Sequence, residues 1–310
     1  MPSAVITGGN GFVGQYLAAE LTAQWGDGAV SIWDMQPVAQ IEGLPYVSID
    51  ITDPNTYISA LQSQQPDWVI HLAAIASVPY AQEHPDQTKR VNVEGTQRLL
   101  ETVRKVSPHT RVLVVSSADI YGIGSPGPIV ELPLEEAKPR NAYASSKWEA
   151  EQVIEQSFND ISIRVRPFPH IGPGQKRGFV TADFASQIVD IEKGKQAPRI
   201  QVGNLESIRD FTDVRDVVRA YRLIMEKGAI GEVYHVASGV GTKVQDILDQ
   251  LLRLSTVPIT VEADPARLRP SDTPVIIGDA TKLHQQTGWQ TTISLEESLR
   301  DVLDWWREAN

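Results

Sequence analysis

Cysteine is absent from all 310 positions of the sequence. This absence excludes disulfide bonds, thiolate nucleophiles and thiolate metal ligands. The 6 histidines show no paired spacing typical of metal ligands, so we expect no metal site. Long apolar runs are missing too: no segment approaches the roughly 18 apolar residues of a membrane span, and no basic and apolar signal segment precedes the first strand. We therefore expect a soluble cytoplasmic protein that does not act at a membrane.

Basic residues are in the minority. The sequence has 28 Lys and Arg residues against 39 Asp and Glu residues, a net charge of -11 at pH 7, which argues against a nucleic acid as partner. A phosphorylated small substrate remains compatible with this charge, because it needs only a local cationic pocket. The length and the 41% hydrophobic content allow one large α/β unit or two closely joined domains.

The most informative stretch is a glycine-rich turn, TGGNGFVG at residues 7–14, directly behind the apolar run at residues 4–6. The apolar run predicts a buried parallel strand, and residues 12–21 predict a helix. A pyrophosphate would lie at the N-terminus of that helix, where unpaired N–H groups and the helix dipole favour an anion. The turn therefore predicts a dinucleotide site that includes Gly8, Gly11, Phe12, Val13 and Gly14.

The next two strands extend this prediction to the adenosine half of a dinucleotide. Strand 29–33 ends in Asp34, where a carboxylate would accept hydrogen bonds from the ribose and repel a 2'-phosphate, which favours NADH over NADPH. Strand 45–50 ends in Asp50 and Ile51, which we expect near the adenine. For the same stretch, an N-cap role of Asp53 in the helix that follows is an equally good interpretation.

Strands and helices alternate from residue 4 to about residue 165, which predicts a doubly wound parallel sheet with helices on both faces. Strand 67–74 ends in small residues, which either make room for a dinucleotide or simply pack. Asn92 opens the next helix, and we expect it to brace the backbone of a neighbouring strand rather than to act in catalysis. Strand 112–115 ends in serines, at the edge of the sheet where ligands bind in such folds.

Tyr143 and Lys147 lie in the first turns of a predicted helix that Asn141 caps and that runs to about Phe158. Their spacing of four puts both side chains on one face. Such a pair is often surface decoration, but here it follows a dinucleotide turn and a serine-bearing strand end in that order. This order favours a catalytic role for the pair.

Together these motifs resemble the extended short-chain dehydrogenase/reductase family over essentially the whole chain. The matching segments are residues 7–14, 71–74, Asn92, 116–122 and 143–147. A narrower resemblance, to the reductases of GDP-6-deoxy-4-keto-mannose, lies in residues 166–175, 178–181, 202–205, 209–214, 267–271 and 287–289. Enzymes of that group reduce the 4-keto group of a nucleotide-linked 6-deoxyhexulose.

The resemblance implies a fold and a division of labour within it. We expect a Rossmann sheet in residues 1–165, completed by elements near 205–237, and a smaller α/β substrate-binding domain formed mainly by residues 166–310. It implies NADH or NADPH as cofactor and a nucleotide-diphosphate sugar as substrate. It also implies a homodimer formed through the helices at 94–105 and 143–158, on a face that Trp148, Glu149 and Glu151 make mixed in character.

The resemblance also assigns the chemistry. Tyr143 would protonate the C4 alkoxide, Lys147 would lower the pKa of that phenol and bind the nicotinamide ribose, and Ser117 would stabilise the sugar oxygen. The implied cofactor contacts beyond the glycine turn are Leu72, Ala73, Ala74, Ser116, Tyr143, Lys147, Pro167 and His170, the last with packing as its alternative. The implied substrate contacts are Ser117, Asp119, Val180, Arg209 and Arg269, with Arg267, Lys176 or Arg177 as further diphosphate partners.

Two departures refine the expected activity. The family usually has Asn where this chain has Pro169, so the diphosphate grip or the backbone there must differ. Nucleotide-sugar 4,6-dehydratases usually carry Thr-Asp-Glu where this chain has Ser117-Ala118-Asp119, and Ala118 has no proton to give. We therefore expect a 4-keto reductase; a nucleotide-sugar epimerase, a 4,6-dehydratase or a catalytically silent NAD-binding module are the alternatives.

Overall fold

A computed structural model describes residues 2–122, 124, 127–265 and 274–309. The strands are, in chain order, β1 (Ala4–Thr7), β2 (Val30–Asp34), β3 (Tyr46–Ser48), β4 (Trp68–His71), β5 (Arg111–Val115), β6 (Ser162–Pro167), β7 (His170–Ile171), β8 (Arg199–Val202), β9 (Ile208–Asp210), β10 (Thr212–Asp213), β11 (Val233–Val236), β12 (Gly241–Lys243), β13 (Thr260–Ala263) and β14 (Val275–Ile276).

The helices are, in the same order, α1 (Phe12–Trp25), α2 (Ile58–Gln64), α3 (Val78–Glu83), α4 (Pro85–Lys89), α5 (Thr96–Val106), α6 (Ala142–Ser157), α7 (Val180–Glu192), α8 (Val214–Lys227), α9 (Val244–Leu254), α10 (Thr281–Thr287) and α11 (Leu295–Ala309). A π-helical turn, Arg90–Gly95, leads into α5. None of the described helices is long and apolar enough to cross a membrane.

A seven-stranded parallel sheet in the order β11-β6-β5-β4-β1-β2-β3 forms the centre of the molecule. Its strands are short runs of β-branched and other apolar residues, as expected for strands that are buried on both faces. The chain winds outward from β1 through β2 to β3, and then from β4 in the opposite direction. The strand order therefore switches between β1 and β4, where parallel sheets of this kind bind ligands beyond their carboxyl ends.

Helices cover both faces of the sheet, so the predicted doubly wound α/β fold is confirmed. On one face, Ile6 and Leu113 pack with Leu17 of α1 and Val217 of α8. On the other face, the alternate strand residues pack against α2, α5 and α6, and Ile154 of α6 belongs to that cluster. This alternation follows from the period of two along a strand.

A separate hydrophobic cluster joins α7, α9 and α11 to β8. Trp306 lies in this cluster with 9% of its surface exposed, and Trp305 packs against it, so the two side chains anchor α11 in this cluster. Trp289, after α10, instead returns to the cluster of the main sheet. The C-terminal third of the chain thus contributes to both clusters, and the boundaries of the two predicted domains stay a prediction.

Some predicted strands are shorter than expected at their carboxyl ends. The strand predicted at 67–74 ends at His71, because only the Leu72 N–H still bonds to the Thr7 carbonyl of β1, at 3.1 Å, before the chain turns beside the glycine-rich turn. The strand predicted at 45–50 is limited to Tyr46–Ser48. Both differences leave residues 72–74 and 49–51 in loops at the ligand-binding edge.

Candidate active site

The glycine-rich turn brings backbone against backbone at the switch point. Gly8 has φ +72°, and a Cβ there would lie 2.7 Å from the Ala73 nitrogen. A Cβ on Gly14 would lie 2.4 Å from the Gly9 carbonyl oxygen. Larger residues are therefore excluded from both positions. Because the first N–H groups of α1 have no partner within the helix, this turn presents donors to a pyrophosphate at the point where the sequence predicted them.

Asp34 lies at the end of β2, beside the turn. Its carboxylate accepts hydrogen bonds from the backbone N–H groups of Asn10, at 3.1 Å, and Gln36, at 3.2 Å. The Asn10 side chain holds the following loop, because it donates to the Val38 carbonyl and accepts from the Gln40 N–H, both at 3.0 Å. Residues 35–44 contain no Lys or Arg. The charge next to the expected adenosine ribose is therefore negative.

The predicted adenine contacts lie in the loop after β3. The Asp50 carboxylate accepts from both the N–H and the hydroxyl of Thr52, at 2.8 Å each, and Ile51 is buried. Asp53 caps the next helical turn by accepting from the Asn55 N–H at 3.1 Å, as its alternative interpretation predicted. The carboxylate of Asp50 therefore orders its own loop, and its role toward adenine stays a prediction.

Two serines follow β5 at the same edge of the sheet. The Ser116 hydroxyl is buried and has no hydrogen-bond partner among the described residues. The Ser117 hydroxyl accepts from the Asp119 N–H at 3.1 Å, and its interaction with the Tyr143 phenol lowers the pKa of that phenol. Pro167 ends the neighbouring strand β6. A buried hydroxyl without a partner at the carboxyl edge of this sheet fits a residue that holds a dinucleotide.

Helix α6 brings Tyr143 and Lys147 to this edge. Asn141 caps the helix by accepting from the Ala144 N–H at 2.8 Å, as predicted, so both residues lie in its first turns. The Tyr143 hydroxyl meets Ser117, and the Lys147 ammonium donates to the Val115 carbonyl at 2.8 Å. The structure therefore brings together Ser117, Tyr143 and Lys147, which come from two distant segments of the chain.

The ionisation of the phenol differs from the expectation. Burial and the Asp119 carboxylate raise the pKa of Tyr143, and the hydrogen bond with Ser117 opposes them. The expected lowering of this pKa by Lys147 is absent, because the ammonium is directed to the end of β5. Burial also lowers the pKa of Lys147 to about 8, against the attraction of Glu151. At neutral pH the site thus holds a protonated phenol beside an ammonium.

A chain of buried hydrogen bonds supports this helix, and the sequence predicted only one member of it. Asn92 accepts from the Ile75 N–H at 2.8 Å and donates to the Ile75 carbonyl at 3.0 Å and to Ser146 at 2.9 Å. Ser146 donates to the Tyr143 carbonyl at 2.7 Å. The structural role predicted for Asn92 agrees with these contacts, although its backbone partner is the loop after β4 and not a strand.

The same chain continues through His71, whose role the sequence did not indicate. Its Nδ1 lies 2.8 Å from the Thr7 hydroxyl and its Nε2 lies 3.0 Å from the Thr96 hydroxyl. Burial lowers the pKa of His71 to about 3, so the ring is neutral. The signal in the sequence that could have indicated this role is a polar residue at the end of the otherwise apolar strand β4.

On the substrate side, burial raises the pKa of Asp119 and the charge of Arg209 on β9 lowers it. These two predicted contacts therefore act on each other, and Asp119 acts in turn on Tyr143. Val180 is the first residue of α7. Arg267 and Arg269 lie outside the described residues. Arg177 pairs with Asp190 at 2.5 Å on the surface, and its role toward a diphosphate stays a prediction.

Pro169 and His170 form the strand connection above the glycine turn. The Pro169 carbonyl accepts from the Thr212 N–H at 3.0 Å, so the backbone here serves β10. The His170 ring lies parallel to Phe12, with ring centroids 6.3 Å apart, and burial lowers its pKa. Packing against the first turn of α1, the alternative for His170, agrees with these contacts.

The predicted mixed dimer face is less charged than expected. Glu151 points inward and has 1% of its surface exposed, because its carboxylate pairs with Arg166 of β6. Trp148 donates to the Leu134 carbonyl at 3.1 Å, within the same chain. Glu149 pairs with Lys89 at 2.7 Å on the surface. The sequence placed Glu151 on the wrong side of α6 because helical spacing alone does not identify a partner on a distant strand.

The parallel sheet, its glycine turn and the Ser117, Tyr143 and Lys147 arrangement define an NAD(P)-dependent oxidoreductase with the extended short-chain dehydrogenase/reductase fold. Residues 5–302 match the sequence profile described as GDP-mannose 4,6 dehydratase. The chain belongs to this family, which confirms the resemblance seen in its motifs.

Two relatives and one solved structure are similar to this protein over nearly the whole chain. The GDP-6-deoxy-D-mannose reductase of Pseudomonas aeruginosa is 37% identical over 307 residues, which are 97% of this chain and 96% of the relative. A GDP-6-deoxy-D-talose 4-dehydrogenase of Aggregatibacter actinomycetemcomitans is 29% identical over 90% of this chain and 89% of the relative. The structure of RMD from Pseudomonas aeruginosa complexed with NADPH superimposes with a TM-score of 0.86, at 33% identity and 100% coverage of both chains.

The close packing at Gly14 generates a test of the dinucleotide site. We predict that Gly14→Ala weakens NADH binding at least tenfold and lowers the melting temperature, because a Cβ 2.4 Å from the Gly9 oxygen must push α1 away from the turn, at a cost of about 1–3 kcal/mol. Gly28→Ala is the matched control, since a Cβ there meets nothing within 4 Å. NADH fluorescence titration and thermal unfolding measure both effects; equal affinities of the two variants would contradict this assignment.

Proposed function

We propose that the chain reduces the 4-keto group of a nucleotide-linked 6-deoxyhexulose, with GDP-4-keto-6-deoxymannose as substrate and NADH as reductant. The single observation that carries the proposal is the position of the protonated Tyr143 phenol beside the Ser117 hydroxyl at the carboxyl end of β5, where the two groups interact. A ketone reduction needs a proton donor at that place, and a phenol with a raised pKa is a donor. The relative named GDP-6-deoxy-D-mannose reductase supports a reaction with a GDP-linked 6-deoxyhexose.

Each of the three polar residues has a separate task. Ser117 donates a hydrogen bond to the ketone oxygen and stabilises the charge that develops there. Tyr143 delivers its proton to that oxygen as the C–H bond forms at C4. Lys147, held at the Val115 carbonyl, provides an ammonium for the nicotinamide ribose. A reduced nicotinamide, when bound, supplies the hydride.

The remaining contacts of the sugar nucleotide come from the second half of the chain. Arg209 provides a cation for the diphosphate, with Arg269 as the second, and Val180 faces the nucleotide from the start of α7. Asp119 hydrogen-bonds the sugar. Residues 166–310 thus form most of the substrate-binding domain, and residues 1–165, with β11, form the cofactor-binding domain. Two chains associate through α5 and α6.

One buried residue favours reduction of a ketone over dehydration as the reaction. Ala118 is 2% exposed and has no acidic group, so this position supplies no acid to protonate a leaving C6 hydroxyl. Asp119 alone provides a base without that partner. Epimerisation uses the same residues as reduction but returns the hydride to the sugar, so consumption of reductant separates the two.

The preference for NADH rests on Asp34. Its carboxylate is fixed by two backbone N–H groups, and no cation in residues 35–44 offsets its charge toward a 2'-phosphate. The RMD structure of Pseudomonas aeruginosa contains NADPH, whereas the structure of MoeE5, at 25% identity, contains NAD. For this chain, the local charge favours the cofactor without the extra phosphate.

Replacing the phenol tests the reaction. With GDP-4-keto-6-deoxymannose and NADH, we predict that Tyr143→Phe lowers kcat by about 10²–10⁴-fold while NADH affinity stays near that of the unmodified chain, because only the proton donor is lost. Tyr57→Phe makes the same chemical change beside Trp33, with ring centroids 6.3 Å apart, outside the site, and leaves kcat unchanged. Absorbance at 340 nm follows the reaction; unaltered turnover of Tyr143→Phe would rule out this catalyst.

Cofactor preference gives a second test. We predict that kcat/KM with NADH exceeds that with NADPH at least tenfold, since an unpaired negative charge against a phosphate costs more than about 1.4 kcal/mol, and that Asp34→Ser narrows the ratio. Asp27→Ser, a change of the same kind on an exposed turn, leaves the ratio as it is. A preference for NADPH in the unmodified chain would show that Asp34 does not set the specificity.

A further inference from the structure

One row of α6 continues beyond the catalytic pair. Tyr143, Lys147 and Glu151 follow each other at spacings of four, so their side chains lie on one face of the helix. Glu151 is almost fully buried, although a buried carboxylate is costly unless it is paired. None of the steps of ketone reduction uses this carboxylate. The proposed reaction therefore does not explain why it is buried one helical turn beyond Lys147.

The nearer partner of Glu151 is Arg166 on β6, which is equally buried; Arg164 of the same strand lies farther away, at 3.9 Å. The Arg166 Nε lies 2.9 Å from Oε1 of Glu151, and its Nη2 lies 2.8 Å from Oε2, so the pair is bidentate. The alternate residues of β6 face the main core on the other side of the sheet, which directs Arg166 toward α6. The contact therefore ties α6 to the sheet one turn beyond Lys147.

Arg166 also reaches the segment that carries Ser117. Its Nη1 donates to the Tyr121 hydroxyl at 2.8 Å and to the Leu132 carbonyl at 2.7 Å. Tyr121 belongs to the helical turn that begins directly after Ser117, and its hydroxyl meets His235 of β11. A single guanidinium thus holds α6 and the serine-bearing turn against the same two strands.

The charges around Lys147 single out Glu151. From α6, Tyr143 is protonated; from β4, His71 is neutral; and from the turn after β5, Tyr121 is protonated because burial raises its pKa to about 12. On β6, Arg164 and Arg166 are both cations. The attraction that offsets the burial of the Lys147 ammonium comes from Glu151.

We propose that Glu151 is a positioning residue: its carboxylate keeps Lys147 an ammonium at the Val115 carbonyl and, through Arg166, fixes the rotation of α6 relative to Ser117. The proposal rests on the role proposed for Lys147. Glu151 itself touches neither the sugar nor the cofactor. Its loss removes the attraction that offsets the burial of the Lys147 ammonium, so the ammonium gives up its proton at a lower pH.

The test compares Glu151→Gln with Glu155→Gln. Glu155 is the next residue of the same row and pairs with Arg164 at 3.4 Å, but half of its side chain is exposed. The probe is the ¹³Cε resonance of Lys147 in lysine-labelled protein without ligands, assigned with Lys147→Met. We expect the pKa of Lys147 to fall by about one unit in Glu151→Gln, as for the loss of a nearby opposite charge, and to stay constant in Glu155→Gln.

Activity provides a second readout with the same sign. Because Lys147 acts as the ammonium, the alkaline limb of kcat/KM with the keto sugar and NADH moves down by about one pH unit in Glu151→Gln and stays in place in Glu155→Gln. A structural loss alone would lower kcat/KM at all pH values without moving the limb. Equal titration of Lys147 in Glu151→Gln and the unmodified chain would overturn the proposal.

A double variant covers the case in which Glu151→Gln does not fold. Glu151→Gln with Arg166→Met removes both buried charges, which proteins tolerate better than one unpaired charge. With folding verified by thermal unfolding, we expect its Lys147 to titrate below the unmodified value; an unchanged value would again overturn the proposal. The NMR titration needs no substrate, so it decides on Glu151 even if the chain fails to reduce any keto sugar, which would refute the proposed function instead.

Discussion

The interaction between the Ser117 hydroxyl and the Tyr143 phenol is the one on which the site depends. The two residues come from different elements, the end of β5 and the first turn of α6, and each positions the other at the edge of the sheet. Burial disfavours the phenolate and keeps the proton on Tyr143, so the site is prepared to give a proton rather than to take one. This direction suits reduction of a ketone, and it makes the exact seating of α6 the main structural requirement.

Buried polar contacts meet that requirement from two sides. At the start of α6, Asn92 and Ser146 hold the backbone of Tyr143 against the loop after β4. One turn beyond Lys147, Glu151 and Arg166 hold the helix against β6. Hydrogen bonds of this kind are directional, whereas apolar packing alone would allow the helix to slide or rotate by small amounts. These polar groups, which are costly to bury, thus lie around α6, the helix that carries Tyr143 and Lys147.

The sequence predicted those parts of the site that local pattern determines. The glycine turn, the N-cap at Asn141 and the spacing of Tyr143 and Lys147 are each specified within a few residues, and the structure agrees with them. The direction of the Lys147 ammonium and the pairing of Glu151 with Arg166 depend instead on which strand lies beneath α6. Strand order and register are long-range properties, and helical periodicity does not contain them. Hence the face of the helix was predictable and its partners were not.

The central claim is that hydride and proton are delivered to the two ends of the C4 carbonyl of a nucleotide-linked sugar. Reaction of GDP-4-keto-6-deoxymannose with NADH deuterated at the transferring C4 position of the nicotinamide, followed by NMR of the purified product, tests it directly. The account predicts one deuterium at hexose C4 for each NADH consumed. A product without deuterium at C4, or sugar conversion without loss of NADH, would contradict it.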